Sequence, residues 1–264
     1  MDVTLLGSGD AVGMPVPLCE CEYCQASHCR RRPGLLVETA TTTLLLDAGP
    51  DIATQLRAAG VTTLDAVFLT HAHYDHSNGL HALVQAGKWP ADHLEATDHF
   101  EPADDPVAPV YLTETAYHHL HETRPYLVPL LDTVQVRPRT AVSIGDLRVT
   151  PFAVEHARPA FETLGFVVAH GSTNVAYAPD VERITDVGPV IGADFLFVEG
   201  SALFGTPLHG PEVGLRETIE QVKADTVILV NLSEHKARKH TGDLNDAAAV
   251  LGYCLGDDSM TVTP

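Results

Sequence analysis

Positive charge is scarce in this chain of 264 residues. Its 16 Lys and Arg stand against 35 Asp and Glu, a formal net charge of −19 at pH 7 with His neutral. Lysine occurs only at Lys88, Lys223, Lys236 and Lys239. Such a surface repels nucleic acid and anionic membrane at long range, so neither is an expected partner. It fits a salt-rich cytoplasm, where screening makes self-repulsion tolerable. Apolar runs are short, and none reaches the length of a membrane span. The start, Met1-Asp2-Val3-Thr4-Leu5-Leu6, lacks the basic region of an export signal, which makes a cytoplasmic protein the expectation. Cysteine is sparse and odd in number: Cys19, Cys21, Cys24 and Cys29 cluster, and Cys254 stands alone. That count argues against a disulfide framework. Repeats and low-complexity linkers are missing too, so residues 1–264 are expected to form one domain.

What is present centres on His71-Ala72-His73-Tyr74-Asp75-His76. The apolar stretch Leu64 to Leu69 reads as a buried strand ending at Thr70, and Gly79 to Leu83 has helical periodicity. In extended backbone His71 and His73 point the same way and can grip one ion. As the chain turns into a helix, Asp75 and His76 aim elsewhere and can hold a second. Imidazole with carboxylate suits zinc, iron or manganese. A solvated polar turn would explain the residue types but not their abutment on a buried strand.

This His-x-His-x-Asp-His run resembles the signature of the metallo-β-lactamase superfamily. The resemblance implies an α+β class, four-layer αββα fold with metals at one edge. It also gives Asp47, after the apolar Leu44-Leu45-Leu46, a supporting role behind the metal loop. His156, ending the second of two strands between Val134 and Val154, becomes the third ligand of the first metal. Asp180, following a hairpin of Phe166–Ala169 and Asn174–Ala178, becomes the carboxylate bridging both ions.

Elsewhere the pattern predicts a first strand at Val3–Leu6 and helices at Asp51–Ala59, Thr113–His121 and Glu217–Lys223. Gln85 to Val107 reads as a polar loop, and His118, His119 and His121 as surface residues. Phe195 to Val198 is a buried strand ending in Glu199, with His209 on the loop beyond. Val227–Val230 is the last core strand, followed by Asn231-Leu232-Ser233-Glu234-His235.

Gly7-Ser8-Gly9-Asp10-Ala11-Val12-Gly13 is reminiscent of a dinucleotide loop, but Met14-Pro15-Val16-Pro17 forbids the helix that reading needs. A tight loop lining a cleft is expected instead. Cys19-Glu20-Cys21-Glu22-Tyr23-Cys24 supplies three ligands of a closed zinc site, short of a fourth. His28, Cys29 and His235 are the candidates, and the Arg30-Arg31-Arg32 run is expected to lead the chain away from the first two. The alternative is three reduced structural cysteines.

The glycine loop followed by these cysteines is similar to the start of the phosphoribosyl cyclic phosphate phosphodiesterases of the carbon–phosphorus lyase pathway. That resemblance implies a structural zinc on Cys19, Cys21, Cys24 and a C-terminal His, and a two-metal hydrolytic centre using manganese or zinc. The family's last strand ends in a metal-binding His, followed three residues later by the zinc His. Here Asn231 takes the first place and Glu234 the second. One extra residue brings His235 to the zinc, and His240 is another imidazole able to serve the centre.

The expected activity is two-metal hydrolysis of a small anionic phosphodiester. His71, His73 and His156 hold one ion, Asp75 and His76 the other, and Asp180 bridges, with Asn231 a weaker ligand. Asp75 is also counted with the catalytic groups, His209 donates a proton to the leaving alkoxide, and Glu199 positions it. The alternatives are a transfer-RNA 3′-processing nuclease, a thioester or lactone hydrolase, and a non-catalytic metal-binding or regulatory protein. A homodimer is compatible with the sequence.

Overall fold

The computed structural model describes residues 1–25, 28–88, 106–156, 162–207 and 209–264. Two β-sheets carry the architecture. The first takes β1 (Asp2–Gly7), β2 (Gly34–Glu38), β3 (Thr43–Leu46), β4 (Ala66–Phe68), β5 (Val110–Leu112) and β6 (Thr133–Gln135) side by side. The second takes β7 (Val142–Ile144), β8 (Leu147–Glu155), β9 (Thr163–His170), β10 (Thr173–Ala178), β11 (Arg183–Ile184), β12 (Phe195–Glu199), β13 (Thr226–Val230) and β14 (Cys254–Leu255), in the order β11-β8-β9-β10-β12-β13-β14 with β7 on β8. Strand β15 (Met260–Val262) returns to pair antiparallel with β1.

Apolar residues fill both faces of the central strands, which is why these segments read as continuous hydrophobic runs rather than alternations. Leu44 and Leu46 of β3 face the second sheet, in one core with Phe68, Phe166, Tyr177, Phe197 and Ile228. Phe68 meets Phe166 edge-on across that gap, ring centres 5.4 Å apart. Leu45 and Val67 face the other way, against Ile52 and Leu56 of α2 (Ile52–Ala59), Leu80 and Leu83 of α4 (Leu80–Lys88), and Leu120 of α5 (Glu114–Thr123). On the far side, Leu196 and Val198 pack with Leu215 and Ile219 of α6 (Glu212–Val222), Ala237 of α7 (Glu234–Thr241) and Ala248 of α8 (Leu244–Val250). Helix, sheet, sheet, helix: this is the αββα order expected, in the α+β class. Two single-turn helices, α1 (Glu22–Gln25) and α3 (Tyr74–Ser77), sit in the loops that carry the cysteines and the histidine run.

Several expectations need correction. The buried strand before the histidines is short, Ala66–Phe68, because Leu64 lies outside the ladder and packs sideways into the helix-facing core. Val134 belongs to β6 in the first sheet, so the two strands around Gly145-Asp146 begin only at Val142. Gln85 to Lys88 continue α4 rather than opening a loop, and α6 starts at Glu212, a turn and more before Glu217. Residues 89–105 of that expected loop lie outside the described residues. His118 and His121 are exposed on α5 and His119 half-buried, in keeping with surface positions. Among the described residues no helix is long and apolar enough to cross a membrane.

The glycine loop has a packing reason. A Cβ on Gly7 would sit 2.0 Å from the Arg32 carbonyl oxygen, and one on Gly9 2.9 Å from Arg30. The Arg30–Arg32 segment therefore runs back beneath this loop, joined by Gly9 N–H to Arg31 O at 2.8 Å and by paired bonds between Met14 and Arg30. The charged run thus packs against the glycine loop.

Candidate metal centre

Strand polarity gathers the site. Strands β3 and β4 are parallel and adjacent, so Asp47 and the run from Thr70 leave the first sheet at one edge. In the second sheet β10, β12 and β13 are parallel, and β8 runs with them, one strand removed through β9. Their C-terminal ends deliver His156, Asp180, Glu199 and Asn231 to that same edge, the position where open sheets commonly bind ligands.

His71 Nε2 lies 2.8 Å from His73 Nδ1, which in turn lies 3.2 Å from His156 Nε2. Asp180 Oδ2 completes the group at 3.5 Å from His71 Nε2 and 3.8 Å from His156 Nε2. A second group is His76 Nε2 with Asp75 Oδ2 at 3.1 Å and Asp180 Oδ1 at 3.3 Å. Donors about 2.0–2.2 Å from one ion in tetrahedral array stand roughly 3.3–3.6 Å apart, and the separations here, from 2.8 to 3.8 Å, bracket that spacing. Asp180 offers one oxygen to each. Thus His71, His73, His156 and Asp180 come together as expected, as do Asp75, His76 and Asp180.

Hydrogen bonds behind the donors fix which ring nitrogen faces inward. Asp47, fully buried, takes His76 Nδ1–H at 2.8 Å and Thr70 N–H at 2.8 Å. The Thr70 hydroxyl lies 3.0 Å from either Asp47 oxygen and 2.9 Å from His71 Nδ1. One carboxylate therefore orients a histidine in each group, directly for His76 and through Thr70 for His71. With Nδ1–H given to Asp47, His76 Nε2 has no hydrogen-bond partner although it is buried between two carboxylates. Two carboxylates at 3.1 and 3.3 Å from this nitrogen favour a cation there, proton or metal. Accordingly, against the opposing pull of burial, Asp180, Asp75 and Asp47 hold protonated His76 well above its usual range. His73 and His156 respond oppositely: burial lowers them to about 4 and about 3, leaving neutral rings of the kind metals bind. The donor set fits a pair of divalent metals.

At the mouth of this edge His209 gives Nδ1 to Glu199 Oε2 at 2.7 Å and turns Nε2 toward Asp180 Oδ2 at 3.4 Å. Burial lowers the His209 pKa, but Asp180 and Glu199 outweigh it and push the ring up to about 9. Glu199 itself is raised by burial. The expected pairing of these two residues is thus present. Asn231, held at positive φ of 54°, donates Nδ2–H to Asp180 Oδ1 in a short hydrogen bond and to the Pro179 carbonyl at 3.1 Å. His240 lies on α7; its side chain is outside the described residues. Thr70 was not singled out by the sequence, and the only signal for it was its place between a strand end and the first histidine.

Some 200 residues of sequence separate the cysteines from α7, yet they meet. The sulfurs of Cys19, Cys21 and Cys24 lie within 4.8 Å of one another, and Cys24 is buried. No described His, Asp or Glu donor lies within that distance of all three, so neither His235 nor His28 closes the set. Glu234 is not free to do so: it pairs with buried Arg30 and with Arg238, and His28 Nε2 lies 3.3 Å away. His235 occupies the first turn of α7, half-buried. That helix is fastened to the cysteine loop by the Arg30–Glu234 pair and by Arg238 over the Tyr23 ring of α1 at 5.7 Å.

Residues 42–230 match the family described as Beta-lactamase superfamily domain. The chain belongs to the metallo-β-lactamase superfamily. It is 30% identical over 244 residues to an octanoyltransferase of Porphyromonas gingivalis, covering 89% of this chain and 46% of that protein. It is 31% identical over 135 residues to a ribonuclease Z of Methanopyrus kandleri, covering 50% of this chain and 43% of that one. The chain thus spans about half the length of the curated relatives it matches, or less. Among solved structures, a diphosphatase from the PhnP family superposes with a TM-score of 0.76 at 23% identity, covering 100% of this chain and 97% of that one. Zinc-bound PqqB from Methylobacterium extorquens superposes with a TM-score of 0.79 at 20% identity, over the whole of both chains. At such identities these two likenesses speak for the fold.

Proposed function

We propose that the chain is a metal-dependent phosphodiesterase that hydrolyses a small cyclic phosphate ester of the phosphoribosyl 1,2-cyclic phosphate type. The observation that carries this reading is the His209–Glu199 pair beside Asp180, a proton donor aimed across the two donor groups. His71, His73, His156 and Asp180 would hold one divalent metal, and Asp75, His76 and Asp180 the other. Bound there, manganese or zinc would supply Lewis-acid charge neutralisation for phosphate oxygens and a lowered pKa for water.

The protein's own groups do the rest. Asp47 and Thr70 keep His71 and His76 in the tautomer that faces inward. Glu199 accepts Nδ1–H of His209 and fixes its ring, so that Nε2 can protonate an alkoxide leaving on that side. Cys19, Cys21 and Cys24, with His235, would hold a structural zinc that braces the glycine loop against α7. The expected substrate is small and anionic, drawn in by the metals despite the acidic surface. Nucleic acid and membranes are not proposed as partners, and assembly as a homodimer is a separate question for sedimentation.

A transfer-RNA 3′-processing nuclease is the second reading, favoured by the ribonuclease Z relatives and disfavoured by the charge of −19. Turnover of bis(p-nitrophenyl) phosphate and of a ribose cyclic phosphate with manganese, but not of precursor transfer RNA, is the expected result. Cleavage of the RNA alone would replace the first reading by the second. Metal binding without turnover of either would leave a binding protein.

A further inference from the structure

The two donor groups are not chemically alike. The first offers three imidazole nitrogens, from His71, His73 and His156, and one carboxylate oxygen from Asp180. The second offers one nitrogen, His76 Nε2, and two carboxylate oxygens, Asp75 Oδ2 and Asp180 Oδ1. What borders the second group is a carboxamide: Asn231 Nδ2 bonds Asp180 Oδ1, the very oxygen that group uses. Asn231 is 1% exposed, and its Oδ1 is buried without a hydrogen-bond partner. Its Nδ2 is assigned by the Pro179 carbonyl, which can only accept. Among the described residues no second imidazole joins this group, only oxygen.

We infer that the centre is built for two different metals: a nitrogen-preferring ion such as zinc in the His71–His73–His156 site, and an oxygen-preferring ion such as manganese in the Asp75–His76–Asp180 site. Imidazole-rich sites favour zinc, copper, iron and nickel, whereas carboxylate, carbonyl and water favour magnesium, calcium and manganese. Asn231 sets the difference. Its amide shares Asp180 Oδ1 with the second ion, which reduces that oxygen's charge donation, and it adds no nitrogen to compensate. The inference rests on the two-metal reading above.

The test uses the full chain stripped of metal, loaded with zinc alone, manganese alone or both, and read by elemental analysis and manganese electron paramagnetic resonance. Mixed loading is expected to give one zinc and one manganese per chain, with a protein-bound manganese signal that equimolar zinc does not remove. Asn231→Asp, which adds an anionic oxygen of the same size, is expected to tighten manganese by roughly ten-fold or more, within the range seen when groups behind metal ligands are altered. Asn231→His is expected to let zinc displace that manganese signal. Two zinc ions bound with equal affinity, displacing manganese from the wild-type chain, would overturn the inference and leave the two-metal reading standing. A chain that holds no more than one ion of any kind would overturn both. The wild-type titration decides the matter even if Asn231→His fails to fold.

Discussion

The two candidate metal clusters sit on opposite kinds of scaffold. His71, His156 and Asp180 stand just beyond the ends of buried strands, Asp75 and His76 lie on α3 where the chain leaves one of them, and Asp47 and Thr70 hold two of the rings from behind. His71, His76 and Asp180 are at most 3% exposed. The cysteines stand on a loop and a single helical turn, Cys19 and Cys21 half-exposed, with their sulfurs gathered but no fourth donor among them. The first group is organised by the fold before any ion arrives, so an ion adds function to it. The second has only a loop and one helical turn to hold it, so an ion bound there would add folding energy. Loss of metal should therefore have different consequences at the two sites.

The largest expected effect is on chemistry at the preorganised edge. His73→Ala removes a donor that is half-exposed and carries no part of the hydrophobic core, so the fold should survive. Hydrolysis of a phosphodiester should fall by roughly three orders of magnitude or more, since metal catalysis supplies several kcal/mol of transition-state stabilisation. Asp180→Asn should be as severe, because a neutral amide neutralises two cations poorly. Either variant retaining full turnover, measured with circular dichroism to check folding, would sink the assignment of the edge as the active site.

A smaller effect is expected at the cysteines, and on stability rather than on the chemical step. His235→Ala should lower both zinc content and melting temperature, while Cys29→Ser should change neither. The reason is topological: α7, with His235 in its first turn, already rests on the cysteine loop through Arg30–Glu234 and Arg238–Tyr23. If Cys29→Ser strips the zinc and His235→Ala does not, the site is local to the N-terminal loop.

How much of this was legible beforehand differs in the same way. The donors of the edge announce themselves because each follows an apolar run, and a buried strand that ends in an acid or imidazole has little structural reason to. That rule locates Asp47, His71, His156, Asp180 and Glu199, and the superfamily resemblance assigns them roles. Thr70 escapes it, since a threonine at a strand end is common and only the hydroxyl's distance from His71 Nδ1 gives it meaning. The cysteine loop is legible as chemistry but not as geometry. Nothing in Arg30-Arg31-Arg32 reveals that the chain doubles back under Gly7 and Gly9, because a positive run ordinarily faces solvent, and the partners that let Arg30 be buried, Glu234, Ser8 and the Gly256 carbonyl, are distant in sequence. Boundaries failed where tertiary packing overrode pattern, as with Val134, taken into the other sheet.

The smallest expected effect tests whether acid sensitivity belongs to the metal edge alone. Asp146 lies at the opposite end of the sandwich, in the turn before β8, whose far end carries His156. It accepts from the hydroxyls of Thr42 at 2.7 Å and Thr39 at 2.8 Å, in the turn before β3, and lies 3.2 Å from His170 Nε2. Those hydroxyl bonds, from Thr42 first and Thr39 next, hold its carboxyl down at about 2. A carboxylate depressed in the folded state contributes stability that is fully present above its ordinary pKa of 3.8 and is lost as pH falls through about 2. Asp146→Asn should therefore lower the melting temperature slightly at pH 7, and the difference should shrink as pH falls through about 2. Because the group is exposed, water screens it and the shift should be only a few degrees at most. Metal content and turnover should be untouched at every pH. If the variant alters either, the two ends of the sandwich are coupled, and the edge is less self-contained than its hydrogen bonds to Asp47 imply.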